Sequence, residues 1–234
     1  MRELVNIIIT TYNRLEICKQ TIRGLKENLI YENLAWIIAD DGSPDGYVDE
    51  LVKEIGSDHC VQTTNAGRRG VGYSKNLALR KAFEESPIVL LLEDDWLLRQ
   101  KLDISAHADL LMSNPNVGMI RYGWLSSDTL TADLVGDRSG YGSQCYWRLK
   151  KDSGQYVYSG QVSLRHQRLY TYLGYHHEGI NAGLEELDMC GRYNTAENPP
   201  EILWPANLAC NYQTSCFIDI GAGYSLNTLE PEVK

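Results

Sequence analysis

The sequence predicts an α/β protein with a mostly parallel central sheet flanked by helices, and three observations carry that prediction. Short apolar runs rich in β-branched residues (residues 4–9, 35–39 and 88–92) are too brief for helices and read as buried strands. Between them lie stretches whose apolar residues recur every three or four positions. Each run stops at a polar loop, in turn Thr10-Thr11-Tyr12-Asn13, Asp40-Asp41-Gly42-Ser43 and Glu93-Asp94-Asp95. Alternating strands and helices imply right-handed crossovers, a sheet covered on both faces, and loops gathered where the strands end, at their carboxyl edge.

Taken in order, residues 4–9 form the first strand. Leu15, Cys18, Ile22, Leu25 and Leu29 then make one helical stripe, with Asn13 and Glu16 at capping-box spacing before it. Residues 35–39 are the second strand, followed by a helix over about 47–55, a strand near 61–64 and a helix over about 72–84. Residues 88–92 run straight into the acidic cluster. Beyond about Leu125 the pattern loosens: residues 129–160 are rich in Gly, Ser and Tyr, and ten of the fifteen tyrosines lie from Tyr141 onward. Tyrosine joins an apolar ring to a wet hydroxyl, so this half suits a mixed α+β, partly solvated surface, with added strands over 147–158 and 161–164.

Composition sets the frame. At 234 residues, 43% hydrophobic and 23% charged, the chain has the makeup of one folded domain, 1–234, with halves at 1–100 and 101–234 sharing a core. Thirty-one acidic against twenty-two basic residues give a net charge of −9, which opposes unspecific coating of nucleic acid or anionic membranes. No apolar stretch approaches the ~20 residues that span a bilayer. The start, Met1-Arg2-Glu3, lacks the pattern of a secretory signal. Six cysteines without a Cys-x-x-Cys pair give no zinc ribbon and read as reduced thiols, so the expected setting is cytoplasmic or membrane-peripheral.

The sharpest chemical signal is the acidic cluster at the end of a buried strand. Glu93, Asp94 and Asp95 together in an apolar setting would raise one another's pKa unless a cation neutralises them, and oxygen ligands without nearby Cys or His favour Mg2+ or Mn2+. Residues 67–75 are glycine-rich and basic but match neither Gly-x-x-x-x-Gly-Lys-Ser/Thr nor Gly-x-Gly-x-x-Gly, which argues against a P-loop ATPase and a dinucleotide oxidoreductase. Arg68, Arg69 and Lys75 there could meet a diphosphate or simply face solvent.

Ile7-Ile8-Ile9-Thr10-Thr11-Tyr12-Asn13-Arg14, Ala39-Asp40-Asp41-Gly42-Ser43, Asn65-Ala66-Gly67 with Ser74-Lys75-Asn76, and Leu92-Glu93-Asp94-Asp95 resemble, in order, the motifs of family 2 glycosyltransferases with the GT-A fold. The resemblance spans about residues 5–98. It implies that Thr10 and Asp41 hold the nucleotide base of a nucleotide-diphosphate sugar, with Tyr12, Asn13 and Lys75 nearby, Lys75 standing where the family usually has Arg. Glu93-Asp94-Asp95 corresponds to the family's Asp-x-Asp element, which places Glu93 and Asp94 at the donor and makes Asp95 a metal ligand. Glu185-Glu186-Leu187-Asp188-Met189-Cys190-Gly191-Arg192 is similar to the family's Glu-Asp-x-Asp-Leu-x-x-Arg segment, from which Glu186 inherits the role of catalytic base. Asp219 stands where related enzymes often supply a further metal ligand.

The expected activity is therefore metal-dependent, inverting transfer of a sugar from a UDP-sugar, the favoured donor, to an unidentified hydroxyl acceptor, with Mn2+ or Mg2+ as cofactor. A glycan, a lipid carrier, a protein side chain and a nucleobase all stay open as acceptors, nucleic acid being disfavoured by charge. Two rivals are a sugar-phosphate nucleotidyltransferase, which would normally carry a basic glycine-rich loop after the first strand, and a catalytically degenerate carbohydrate-binding protein. His176-His177 reads either as two loop histidines or as a contact to donor or acceptor. Arg148, Lys150, Lys151, Arg165 and Arg168 read either as an acceptor surface or as solvated strand faces. Trp124, Trp147 and Trp204 read as core or rim aromatics. Loops after Glu93 and over 174–183, rich in glycine, are expected to order when donor binds.

Overall fold

A computed structural model describes residues 2–123, 135–141, 144–151, 157–206 and 215–221. Trp124, Cys210 and much of the tyrosine-rich stretch lie outside the described residues. In chain order the elements are β1 (Val5–Thr11), α1 (Leu15–Asn28), β2 (Leu29–Ile30), β3 (Leu34–Asp40), α2 (Tyr47–Ile55), β4 (Cys60–Asn65), α3 (Val71–Ala82), β5 (Ile88–Glu93) and β6 (Trp96–Leu98). They continue with β7 (Leu102–Asp103), α4 (Ser105–Ser113), β8 (Val117–Arg121), β9 (Val135–Tyr141), β10 (Gln144–Leu149), β11 (Ser163–His166), α5 (Gln167–Leu173), α6 (Ala182–Thr195), β12 (Glu201–Pro205) and β13 (Phe217–Asp219).

Nine strands form the central sheet in the order β4-β3-β1-β5-β11-β8-β12-β10-β9. The first four are mutually parallel, with β1 at their centre paired to β3 and β5. β11 is antiparallel to both its neighbours, β12 runs parallel to β8, and β10 and β9 close the edge as an antiparallel pair. The predicted strand-helix alternation over the first hundred residues is the observed one. Of the strands expected later, the one read over 147–158 is the earlier and shorter β10, and the one over 161–164 starts and ends two residues later, as β11.

The central strands are buried on both faces, and successive side chains pack on opposite sides of the sheet, as a period of two requires. Val5, Ile7 and Ile9 of β1, Trp36 and Ile38 of β3, and Ile88, Leu90 and Leu92 of β5 pack with Cys18, Ile22 and Leu25 of α1 and Leu51 and Ile55 of α2. Ile8, Ile37, Val89 and Leu91 face the other way, onto Ala78, Leu79 and Ala82 of α3 and Met189 and Tyr193 of α6. Small residues on α3 let that helix lie close to the sheet. Asn6, buried in the middle of β1, donates from Nδ2 to the Ala82 carbonyl at 3.3 Å and so ties down the carboxyl end of α3.

The capping-box expectation is not met. Arg14 occupies the N-cap of α1 without a side-chain cap bond, while Asn13 takes a left-handed φ of 50°. An Asn side chain tolerates that conformation, and it carries the chain across to the loop after β3, where the Asn13 N–H donates to Ser43 Oγ at 2.9 Å. Among the described residues, no helix is long and apolar enough to cross a membrane.

Candidate active site

Because β3, β1 and β5 are parallel, their last residues share one edge. Thr10 pairs with Ala39 on one side and Glu93 on the other, and Thr11 pairs with Asp40. The backbone continues the zip past the strand ends: Asp41 N–H donates to the Thr11 carbonyl and Asp94 N–H to the Thr10 carbonyl, each at 3.0 Å. Thr10, Asp41 and the cluster 93–95 are thereby brought together, as the motifs imply.

The two adjacent aspartates do different things. Asp40 uses its carboxylate locally, accepting from Gly42 N–H at 3.1 Å, Ser43 N–H at 3.0 Å and Ser43 Oγ at 2.5 Å, an Asx-type turn. Asp41 is buried beneath the loop between β4 and α3, its Oδ1 accepting from Gly70 N–H at 3.0 Å while Arg68 N–H donates to its carbonyl at 2.7 Å. Burial raises its pKa against the pull of the Gly70 N–H. Tyr12 is half-buried beside it, with the Arg68 guanidinium 5.4 Å from its ring centroid. Asn13 is exposed on the same rim.

The acidic cluster divides by depth. Asp94 turns inward with no exposed surface, its Oδ2 accepting from Thr11 Oγ1 at 2.7 Å, its Oδ1 paired with Arg14, and its backbone carbonyl held by Thr21 Oγ1 at 2.7 Å. Burial lifts its pKa to about 7, with Arg14 and Thr11 opposing. Asp95 faces outward with 14% of its side chain exposed, and Arg14 Nη1 donates to its Oδ2 at 2.9 Å. β13 pairs with β6 so that Asp219 stands opposite Trp96, and Ile220 N–H donates to the Asp95 carbonyl at 2.8 Å. Asp219 thus lies beside Asp95, raising its pKa further after burial, and a Cβ on Gly221 would fall 2.3 Å from Asp95 Oδ2, which is why glycine is needed there.

Lys75 is buried in the first half of α3, with 2% of its side chain exposed. Its ammonium donates to Glu185 Oε2 at 3.0 Å and to Glu93 Oε1 at 3.3 Å. Glu185, fully buried on α6, also pairs with His176 Nδ1. Burial disfavours its charge, but His176 and Lys75 outweigh that and hold it well below the carboxylate range. The His176 backbone is clasped by Asn76, which accepts from its N–H at 3.0 Å and donates to its carbonyl at 2.9 Å. So His176 is a buried partner of Glu185, while His177 is exposed. The glycine-bearing segment 174–181 is tied down at both ends of its first half, since Arg192 Nη1 also donates to the Leu173 and Tyr175 carbonyls at 2.8 Å.

Glu186, one residue on, is half-exposed. Its Oε1 accepts from Gly160 N–H at 2.7 Å, and a Cβ on Gly160 would lie 3.7 Å from the Lys75 ammonium and 3.8 Å from the Glu186 carboxyl. Lys75 thus joins Glu185, the sequence neighbour of Glu186, to Glu93 at the strand ends. The acidic segment of α6 is no plain solvated face: Asp188 pairs with Arg192 at 2.5 Å, and Asn181 caps the helix by accepting from Leu184 N–H at 2.9 Å.

Sequence reasoning missed Arg14 as a site residue, although its place beside Asn13 on the first loop was visible. It also grouped cations that the fold separates. Arg165 is buried, donating to Tyr170 Oη at 2.7 Å and Ser163 Oγ at 2.8 Å, and Arg168 Nη1 donates to the carbonyls of Leu111, Asn114 and Val117. Arg165 and Arg168 thus leave the group, while Arg148, Lys150 and Lys151 line one groove together with Tyr193 and Glu201. Trp204 is core, and Trp147 is half-buried on β10.

No curated protein matches the sequence. Among solved structures it is similar to mannosyltransferase PcManGT from Pyrobaculum calidifontis in complex with GDP-Man and Mn2+, with TM-score 0.59, 18% identity and coverage of 87% of this chain and 57% of that one. It is similar also to S. aureus TarS 1–349 in complex with UDP-GlcNAc (0.62, 14%, 86% and 55%) and to GalNAc-T7 with UDP, GalNAc and Mn2+ (0.56, 11%, 87% and 42%). The chain spans little more than half the length of the first two. At such identities the likeness is one of fold, and that fold is GT-A. The family model described as Glycosyl transferase family 2 matches residues 6–167, more than half of the chain, and on that match the chain belongs to this family.

Proposed function

We propose that the chain is a metal-dependent, inverting glycosyltransferase that takes a sugar from a nucleotide-diphosphate donor, a UDP-sugar in the first instance, and passes it to a hydroxyl acceptor. Complexes of similarly folded proteins with UDP, UDP-GlcNAc or GDP-Man support the donor class. The observation that carries the reading is the joint position of Asp95 and Asp219 at the sheet edge that also holds Asp41, with the half-exposed Glu186 next in sequence to Glu185, which Lys75 joins to Glu93 at that edge. In this reading residues 1–100 hold the donor and 101–234 shape the acceptor pocket of one domain. No described cysteine is in a disulfide, which favours a cytoplasmic setting.

Asp41, Thr10, Tyr12 and Asn13 form the nucleotide rim, Asp41 offering a carboxylate to a base N–H. Glu93 lies next along the edge. Asp94 acts from beneath, holding Arg14 and the turn, and Lys75 fixes Glu185 and Glu93. The residues fit a hard divalent cation, since Asp95 and Asp219 offer carboxylate oxygens, the donors Mn2+ and Mg2+ take. Among the described residues no group of three or more His, Cys, Asp and Glu forms a ready cage, so substrate oxygens and water would complete the set. When bound, the cation supplies charge neutralisation for the leaving diphosphate.

Glu186 is the base in preference to Glu185, whose carboxylate is sealed between Lys75 and His176. It takes the acceptor hydroxyl's proton as that oxygen bonds to the anomeric carbon. The bond from that carbon to the diphosphate oxygen breaks, its electron pair leaving with the nucleoside diphosphate, and one displacement inverts the centre.

The test is a thermal-shift screen of UDP-glucose, UDP-GlcNAc and GDP-mannose with and without MnCl2, followed by assay of nucleoside diphosphate release. At least one donor should raise the Tm with Mn2+, and Glu186→Gln should abolish release while keeping that shift. A protein indifferent to every nucleotide would sink the proposal, and binding without release in the wild type would favour a degenerate carbohydrate-binding protein.

A further inference from the structure

Arg14 forks across the acidic turn, and its two contacts are unequal. Nη2 pairs with Asp94, which has no exposed surface and whose other oxygen is filled by Thr11 Oγ1 at 2.7 Å. That arm is a fixed anchor, because an ionised carboxylate sealed from water needs its cation. Nη1 reaches Asp95 Oδ2 at 2.9 Å, and Asp95 is the partly exposed acid that stands beside Asp219. The oxygen that Arg14 binds is thus one of those through which the Asp95–Asp219 pair would hold a cation. A guanidinium on that oxygen and a divalent ion in the same pocket repel each other at short range and low dielectric, so each weakens the other.

We infer that Arg14 is a positioning residue which serves as resident counter-cation on Asp95 and yields that carboxylate to the metal when a donor diphosphate arrives. This rests on the proposed donor-binding function. The hand-over needs only the outer arm to move. Nη2 stays on Asp94 while Nη1 transfers to a phosphate oxygen, a partner that a guanidinium matches well. Before the diphosphate arrives the one guanidinium charge is shared between the two carboxylates and partly offsets them without metal. Afterwards Asp95 is free and the phosphate oxygens complete the metal's shell. Metal and nucleotide then raise each other's affinity by the same factor, because the coupling is reciprocal.

The test is titration of Mn2+ alone, followed by electron paramagnetic resonance of the free ion, for the wild type, Arg14→Gln and Arg14→Lys. Gln removes the competing charge; Lys keeps a charge for Asp94 but cannot fork to both acids. Without nucleotide, both variants should bind Mn2+ more tightly than the wild type, on the order of tenfold, and added UDP should enhance their Mn2+ affinity by a smaller factor. A merely structural role for Arg14 would not tighten metal binding. If Arg14→Gln fails to fold, Arg14→Lys decides alone. Mn2+ affinity that is unchanged or weaker in the folded variants overturns the inference. Failure of the proposed function reads out differently, as indifference of the wild type to every nucleotide, since the Mn2+-only comparison contains none.

Discussion

Asp40 holds its own turn through bonds to Gly42 and Ser43, whereas its neighbour Asp41 accepts from the Gly70 N–H under the loop that follows β4. Replacing each should therefore give opposite phenotypes. Asp40→Ala leaves three donors without their acceptor and should cost about 1–3 kcal/mol in urea unfolding. Asp41→Asn should weaken UDP binding about tenfold or more by calorimetry, with little change in stability. The reverse pattern would exchange the roles given to the pair. Lys75 makes a third case. It was read from its motif as a donor-side residue, but its ammonium is closed between Glu93 and Glu185. Lys75→Met should cost about 3–5 kcal/mol, the range for leaving a buried carboxylate without its cation, and urea unfolding checks it. Nothing in the spacing of Lys75, Glu93 and Glu185 along the chain reveals this triad, because charge complementarity over 110 residues is a product of packing.

At the scale of elements, α3 and α6 bring the two halves to one edge. Gly72 lies in the first turn of α3 against the segment before α6, where an added Cβ would sit 2.2 Å from the His177 carbonyl oxygen. Backbone cannot give way as a side-chain tip can. Gly72→Ala should therefore destabilise the protein by about 1–3 kcal/mol and loosen His176 from Glu185, visible as faster hydrogen exchange over 174–185. Stability and exchange equal to wild type would refute the close approach. The strands β1, β3 and β5 and the helices α1, α2 and α3 were legible because each has a period, a length and a polar stop. The capping-box reading failed at Asn13 for a local reason: the same side-chain chemistry that suits an N-cap also suits a left-handed turn, and the bond to Ser43 of a distant loop decided between them.

At the scale of the whole molecule, buried groups make stability depend on pH, and His107 contributes a loss in acid. His107 is buried, hydrogen-bonded through Nδ1 to Tyr122 Oη at 2.8 Å, and burial lowers its pKa to about 4. Its folded pKa lies below the ordinary value of 6.5, so only the unfolded chain gains the proton between those limits. Stability is unaffected above pH 6.5 and is lost as pH falls toward 4, by on the order of 3 kcal/mol for this group. Glu185, held below the carboxylate range, adds to the loss once pH drops under about 4.5. Urea midpoints at pH 8, 6 and 4 for the wild type and His107→Gln test this: Asp94, whose raised pKa works in the opposite sense, is common to both, so the wild type should lose stability relative to the variant as pH falls, and a difference that is constant from pH 8 to pH 4 would contradict it.

The sequence by itself determined the alternating first half and the polar loop at each strand end, because periodicity, β-branched runs and turn chemistry are local properties that each segment carries alone. From those it also determined that Thr10, Asp41 and Asp95 share one edge, since parallel strands leave no other choice. Tertiary structure alone decided which acids face outward. It turned Asp94 under Arg14, sealed Glu185 behind Lys75 and His176, left Glu186 half-open at Gly160, and set Asp219 beside Asp95. The physical reason is that exposure and ion pairing depend on which remote segments cover a residue, and chain order holds no record of that covering.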